Sequence, residues 1–110
     1  MAILFEKNNA IGLVTPNGAL STDIAESFRK QFVTWFESSP EINRVVIDLG
    51  GVPYMDSSGL GAVIGILKRS VERSGTLTLA RPTNSVKLVL KITGADRIIK
   101  VCGTLEEAVE

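Results

Sequence analysis

Apolar and polar positions alternate along the chain in short stretches of period two and longer stretches of period near 3.6. Ile3 to Lys7 and Ala10 to Thr15 are β-prone runs separated by Asn8-Asn9, and asparagine tolerates the left-handed backbone of a tight hairpin. Pro16-Asn17-Gly18 is expected to stop the second strand. Ser21 or Thr22 can then cap a helix that buries Ile24, Phe28, Phe32 and Trp35/Phe36, which are spaced by three or four. Glu26 and Lys30 on its other face stand in the favourable i, i+4 order, and Ser38-Ser39-Pro40 ends it.

Arg44 to Leu49 is a nearly continuous β-branched run, the pattern of a strand covered on both faces. Gly50-Gly51-Val52-Pro53 reads as a loop. From Ser58 the period is helical again, with Leu60, Val63, Ile64, Leu67 and Val71 on the inward face. Gly75 suits the residue after a helix end, Lys68, Arg69 and Arg73 suit the negative end of its dipole, and Arg69 and Arg73 read as a solvated helix end. Thr76 to Ala80 alternates as a strand. Thr83 or Asn84 opens a third helix with Val86, Val89, Leu90 and Thr93 inward, closed by Gly94. Ile98 to Val101 is a last strand, and Thr104 caps a terminal helix whose first turn holds Glu106 and Glu107.

The order β-β-α-β-α-β-α-β-α predicts one α/β domain over residues 1–110. It has an opening hairpin, a mostly parallel or mixed sheet and about four helices. In such sheets the loops beyond the carboxyl ends of the strands carry the function, which directs attention to the loop from Leu49 to Ser58.

Composition narrows the chemistry. The 12 Lys and Arg residues cancel 12 Asp and Glu, so no basic field attracts nucleic acid. The absence of histidine excludes Ser–His and Cys–His nucleophile pairs and HExxH metal sites. The single cysteine, Cys102, excludes an internal disulfide and CxxC motifs, and after an apolar strand it reads as a small buried filler. The longest apolar run, Gly59 to Leu67, is about half the length of a membrane span. A lone thiol and an N-terminus without a signal-peptide pattern point to the cytoplasm.

Asp56, Ser57 and Ser58 lie where the loop meets the helix, and each is a good N-cap. The same geometry suits a modification site. A helix N-terminus tolerates a phosphate, whereas a carboxylate beside it repels the added charge, so a phosphoserine there alters a binding surface more than a fold. Gly59, Gly61 and Gly65 each cost roughly 0.5–1 kcal/mol in a helix. Close packing is one account of them; the other is a surface open to a partner backbone, with Gly59 leaving the serine unobstructed. Their spacing forms no phosphate-binding loop. An enzyme or nucleotide binder built on Asp48, Asp56 and Ser58 is the weaker alternative, because two acids bring no base, metal cluster or phosphate loop.

The run Met55-Asp56-Ser57-Ser58-Gly59-Leu60-Gly61 resembles the phosphorylation motif of bacterial anti-sigma factor antagonists, small single-domain members of the STAS fold. The resemblance extends over nearly the whole chain in its order of elements. It implies that Ser58 is the phosphoacceptor, with Ser57 the poorer candidate, and that Asp56 and Gly59 support the site. It also implies a partner surface made of Gly18, Ser21, Tyr54, Met55, Asp56, Ser57, Ser58, Leu60 and Gly61. Many members carry Gly-x-Leu-Asp after the second strand; this chain has Gly18-Ala19-Leu20-Ser21, and Asp23 falls two residues late.

The implied partner is an anti-sigma factor that is also a GHKL-type serine kinase. Binding it frees a sigma factor, phosphorylation ends the binding, and a PP2C-type phosphatase restores the serine. The kinase brings nucleotide, metal and base, so the chain itself needs no cofactor or catalytic residue. A STAS scaffold or a regulatory subunit of another signalling or transport complex is the alternative.

Overall fold

Chain order and sheet order coincide. In the computed structural model, which describes residues 2–110, five strands lie side by side as β1 (Ala2–Asn8), β2 (Ile11–Asn17), β3 (Arg44–Asp48), β4 (Thr76–Ala80) and β5 (Lys100–Cys102). The β1–β2 hairpin is antiparallel and every later pairing is parallel. Asn9 takes the left-handed conformation in the turn, as its short polar side chain allows. β2 runs on through Pro16 and Asn17, and the chain breaks away only at Gly18, whose φ of 128° disfavours other residues. β5 begins two residues later than the apolar run suggests, leaving Ile98 exposed.

Helices α1 (Thr22–Glu37), α2 (Ser57–Glu72) and α3 (Asn84–Thr93) cover one face of the sheet, and α4 (Leu105–Val109) covers the other. The alternation within β3 matches this division. Val45 and Ile47 join the larger core with Phe28, Phe32 and Leu79, while Val46 joins Ala80, Cys102 and Ala108 under α4. α4 also covers the second face of β4, so Thr78 and Ala80 are buried as well as Leu77 and Leu79.

α1 buries the expected aromatic stripe, with Phe32 stacked on Phe36 at 5.0 Å and Trp35 tilted against Phe5 of β1 at 5.1 Å. α2 is rotated from its expected face. Its buried positions are Gly59, Ala62, Val63, Ile66 and Ser70, whereas Val71 is 60% exposed. Small residues give no hydropathy signal, yet they let α2 lie close to α1 and the sheet.

The end of α2 also differs from expectation. Ser74, at φ 60°, is its left-handed residue, and the Ser74 and Gly75 N–H groups donate to the carbonyls of Val71 and Ser70, both at 2.8 Å. Gly75 is required instead because the Asn43 carbonyl fills the space a Cβ would occupy. Arg73 is no solvated helix end. Its guanidinium lies 3.5 Å over the Phe36 ring and donates to the carbonyls of Phe36, Ser39 and Ile42. In α3, Thr93 points outward and its hydroxyl donates to Val89 O at 2.7 Å.

Candidate functional site

Parallel pairing of β2, β3 and β4 brings the loops that follow them to one edge of the sheet. The first two loops are joined along their backbones. Gly18 N–H donates to Gly51 O at 3.0 Å, Leu20 N–H to Tyr54 O at 3.1 Å, and Asp56 N–H to Leu20 O at 3.1 Å. Leu20 and Met55 thereby form an isolated parallel bridge, with both side chains buried. The third loop is tied in by Thr83, whose hydroxyl donates to Val52 O at 3.0 Å.

Of the three possible caps the structure selects Asp56, placing Ser57 and Ser58 in the first turn of α2. Asp56 Oδ1 accepts from Gly59 N–H at 2.9 Å. Its second oxygen faces α1, where Oδ2 accepts from Thr22 N–H at 2.9 Å and from the Thr22 hydroxyl at 3.1 Å. Ser21 occupies the N-cap position of α1 but contributes no side-chain cap, so Asp56 serves both helix N-termini. These donors, Gly59 N–H foremost and then Thr22, hold the Asp56 carboxyl below the ordinary carboxylate range. It is therefore charged at neutral pH.

A model of the STAS domain family matches residues 2–108. The chain belongs to the STAS domain family. A protein of Thermotoga neapolitana, provisionally designated an anti-sigma factor antagonist, is 34% identical over 89% of this chain and 86% of its own. The crystal structure of the Thermotoga maritima protein of the same designation superposes with a TM-score of 0.90 at 29% identity, covering 97% of this chain and 91% of that one. The anti-sigma factor antagonist SpoIIAA shares the fold. Its unphosphorylated form gives a TM-score of 0.83 at 23% identity, over 98% of this chain and 93% of that one. The phosphorylated form from Bacillus gives 0.74 at 22%, over 98% and 96%.

Within this STAS domain the expected site residues divide by exposure. Gly18, Ser21, Tyr54, Asp56, Ser57, Ser58 and Gly61 reach the surface of the joined loops and the start of α2. Met55 does not. It is 3% exposed and packs in the core, so its side chain anchors the loop from below and offers a partner nothing. Leu60 is half-buried against the same core, and Gly59 is buried because the Leu20 carbonyl takes the place of a Cβ.

Two features of the site were not visible in the STAS sequence pattern. Thr22, weighed there only as a cap, has its hydroxyl 3.2 Å from Ser58 Oγ. Beside Ser58 the first two turns of α1 and α2 form a shallow groove lined by Ala25, Glu26, Arg29, Gly61 and Ala62. Asp48, by contrast, is withdrawn from any such chemistry. Its carboxylate accepts from Arg81 Nε and Nη2 at 2.9 and 2.8 Å and from Gly50 N–H at 3.0 Å, which makes it a brace between loops.

Proposed function

We propose that this STAS domain is an anti-sigma factor antagonist of the cytoplasm, switched by phosphorylation of Ser58. The observation that carries the reading is the placing of Ser58. Its partly exposed hydroxyl stands at the N-terminus of α2, on the rim of a groove and next to an ionised Asp56. The names of its Thermotoga relatives and the two solved states of SpoIIAA support the same reading.

Unmodified, the joined loops and the start of α2 bind an anti-sigma factor that is also a GHKL-type serine kinase, and a sigma factor is released. The domain is the substrate in the reversing step and performs no catalysis itself. Ser58 Oγ attacks the γ-phosphorus of the kinase's Mg²⁺-ATP. The new O–P bond forms as the bond to the β-phosphate oxygen breaks, ADP leaves with that electron pair, and the serine proton passes to a base of the kinase. The phosphate brings about −1.5 to −2 charges to a surface that already holds the Asp56 carboxylate. The helix dipole and free N–H groups limit the cost to the fold, so the repulsion falls on the partner. A PP2C-type phosphatase then restores the hydroxyl by hydrolysis.

Calorimetric titration with the kinase tests the reading. Ser58→Ala is expected to bind like the wild type and to stay unmodified in Mg²⁺-ATP, while Ser58→Asp binds at least about tenfold more weakly. Equal affinities of Ser58→Asp and wild type would overturn it.

A further inference from the structure

The hydroxyl of Thr22 lies 3.1 Å from Asp56 Oδ2 and 3.2 Å from Ser58 Oγ, but it has one proton to give. An ionised carboxylate only accepts, so that proton goes to Asp56. A lone pair of Thr22 Oγ1 is then left for the Ser58 hydroxyl, which donates to it. The result is a chain of two hydrogen bonds running from Ser58 through Thr22 to Asp56.

We propose that Thr22 is the positioning residue of the Ser58 site, holding the serine hydroxyl in the one rotamer whose lone pairs face the groove and the incoming phosphorus. This inference rests on the phosphorylation reading above. A free serine hydroxyl samples three staggered rotamers, and aligning it before attack is a share of the barrier that geometry alone can remove. The chain of bonds also separates the two serines. Ser57 is exposed and its hydroxyl has no side-chain partner among the described residues, whereas Ser58 is held.

The anchor is firm because Asp56 is itself fixed by the N–H groups of Gly59 and Thr22, which place its carboxylate between the two helices. Thr22→Val keeps the backbone N–H on Asp56 and the shape of the side chain, and removes only the hydroxyl. Thr22→Ser keeps the hydroxyl.

The test measures phosphate on Ser58 and Ser57 by mass spectrometry, in wild type and both variants, with Mg²⁺-ATP and the partner serine kinase. Thr22→Val is expected to lower kcat about tenfold with KM nearly unchanged, and to raise the share of phosphate on Ser57. Thr22→Ser stays within about twofold of wild type. A wild-type kcat in Thr22→Val, or a Thr22→Ser variant equally slow, overturns the proposal. Ser58 side-chain couplings measured by NMR on the free protein give a readout that needs no kinase. They report one rotamer in wild type and Thr22→Ser and an average in Thr22→Val; an unchanged rotamer in Thr22→Val overturns the positioning. A wild type that stays unmodified while these couplings behave as expected removes the phosphorylation reading and leaves the hydrogen-bond chain standing.

Discussion

The carbonyl oxygen of Leu20 occupies the space that a Cβ on Gly59 would need. That same carbonyl accepts the Asp56 N–H, so the β2–α1 loop and the start of α2 touch through bare backbone. The closeness of this contact lets one carboxylate reach two helices.

Gly59→Ala therefore cannot be relieved by moving a flexible side chain. Its better helix propensity is outweighed by the displaced loop, and a net loss of about 1–3 kcal/mol is expected in urea unfolding. The Asp56–Thr22 contact should loosen with it, visible as shifted Thr22 and Ser58 amide resonances.

Gly61→Ala has the opposite sign. Nothing lies within 4 Å of a Cβ built there, so the variant gains about 0.5–1 kcal/mol of helix propensity. On the proposed reading, the open space at Gly61 is room for a partner's backbone. The variant should melt higher than wild type and bind the anti-sigma partner more weakly, and calorimetry with the same partner checks both halves.

In the folded protein Asp56 should keep its charge to lower pH than an ordinary carboxyl. Because the folded carboxyl titrates lower than the unfolded one, its contribution is complete above the unfolded pKa of about 4 and is lost as pH falls through the lower folded value. Asp56→Asn lacks that contribution at every pH. The stability gap between the two proteins is therefore widest near neutral pH and narrows below about pH 4, whereas a gap constant from pH 7 to 3 would contradict the assignment. The other carboxylates are common to both proteins and cancel in the difference.

Arg73→Ala should be among the more damaging surface-reachable changes. It leaves the carbonyls of Phe36, Ser39 and Ile42 without their donor and uncovers the Phe36 ring, for an expected loss of about 2–3 kcal/mol by denaturant unfolding. Arg73→Lys keeps the charge but cannot span three acceptors with a planar fork, and should recover only part of the loss.

Local pattern was a good guide wherever one face of an element is apolar and the other is not. The stripe of Phe28, Phe32 and Phe36 named the buried face of α1, and Thr83, Gly94 and Thr104 marked helix ends where they in fact stand. It failed where contact is made by residues without a hydropathy signal. α2 turned to bury Gly59, Ala62 and Ser70, and Arg73 resembled any dipole-facing cation until Phe36 and its neighbours packed against it.

The sequence by itself determined the order of elements, the parallel sheet that gathers the loops at one edge, and the capping residues of the Asp56–Gly61 segment at a loop–helix junction. Each of these is carried by short-range periodicity, capping chemistry or a contiguous motif. Only the tertiary structure decided that Asp56 caps two helices, that Met55 is an anchor, and that Thr22 reaches Ser58. Thr22 and Ser58 stand 36 positions apart, and no local pattern records a contact at that separation. It exists because two parallel strands deliver their helices side by side and a glycine lets the loops close.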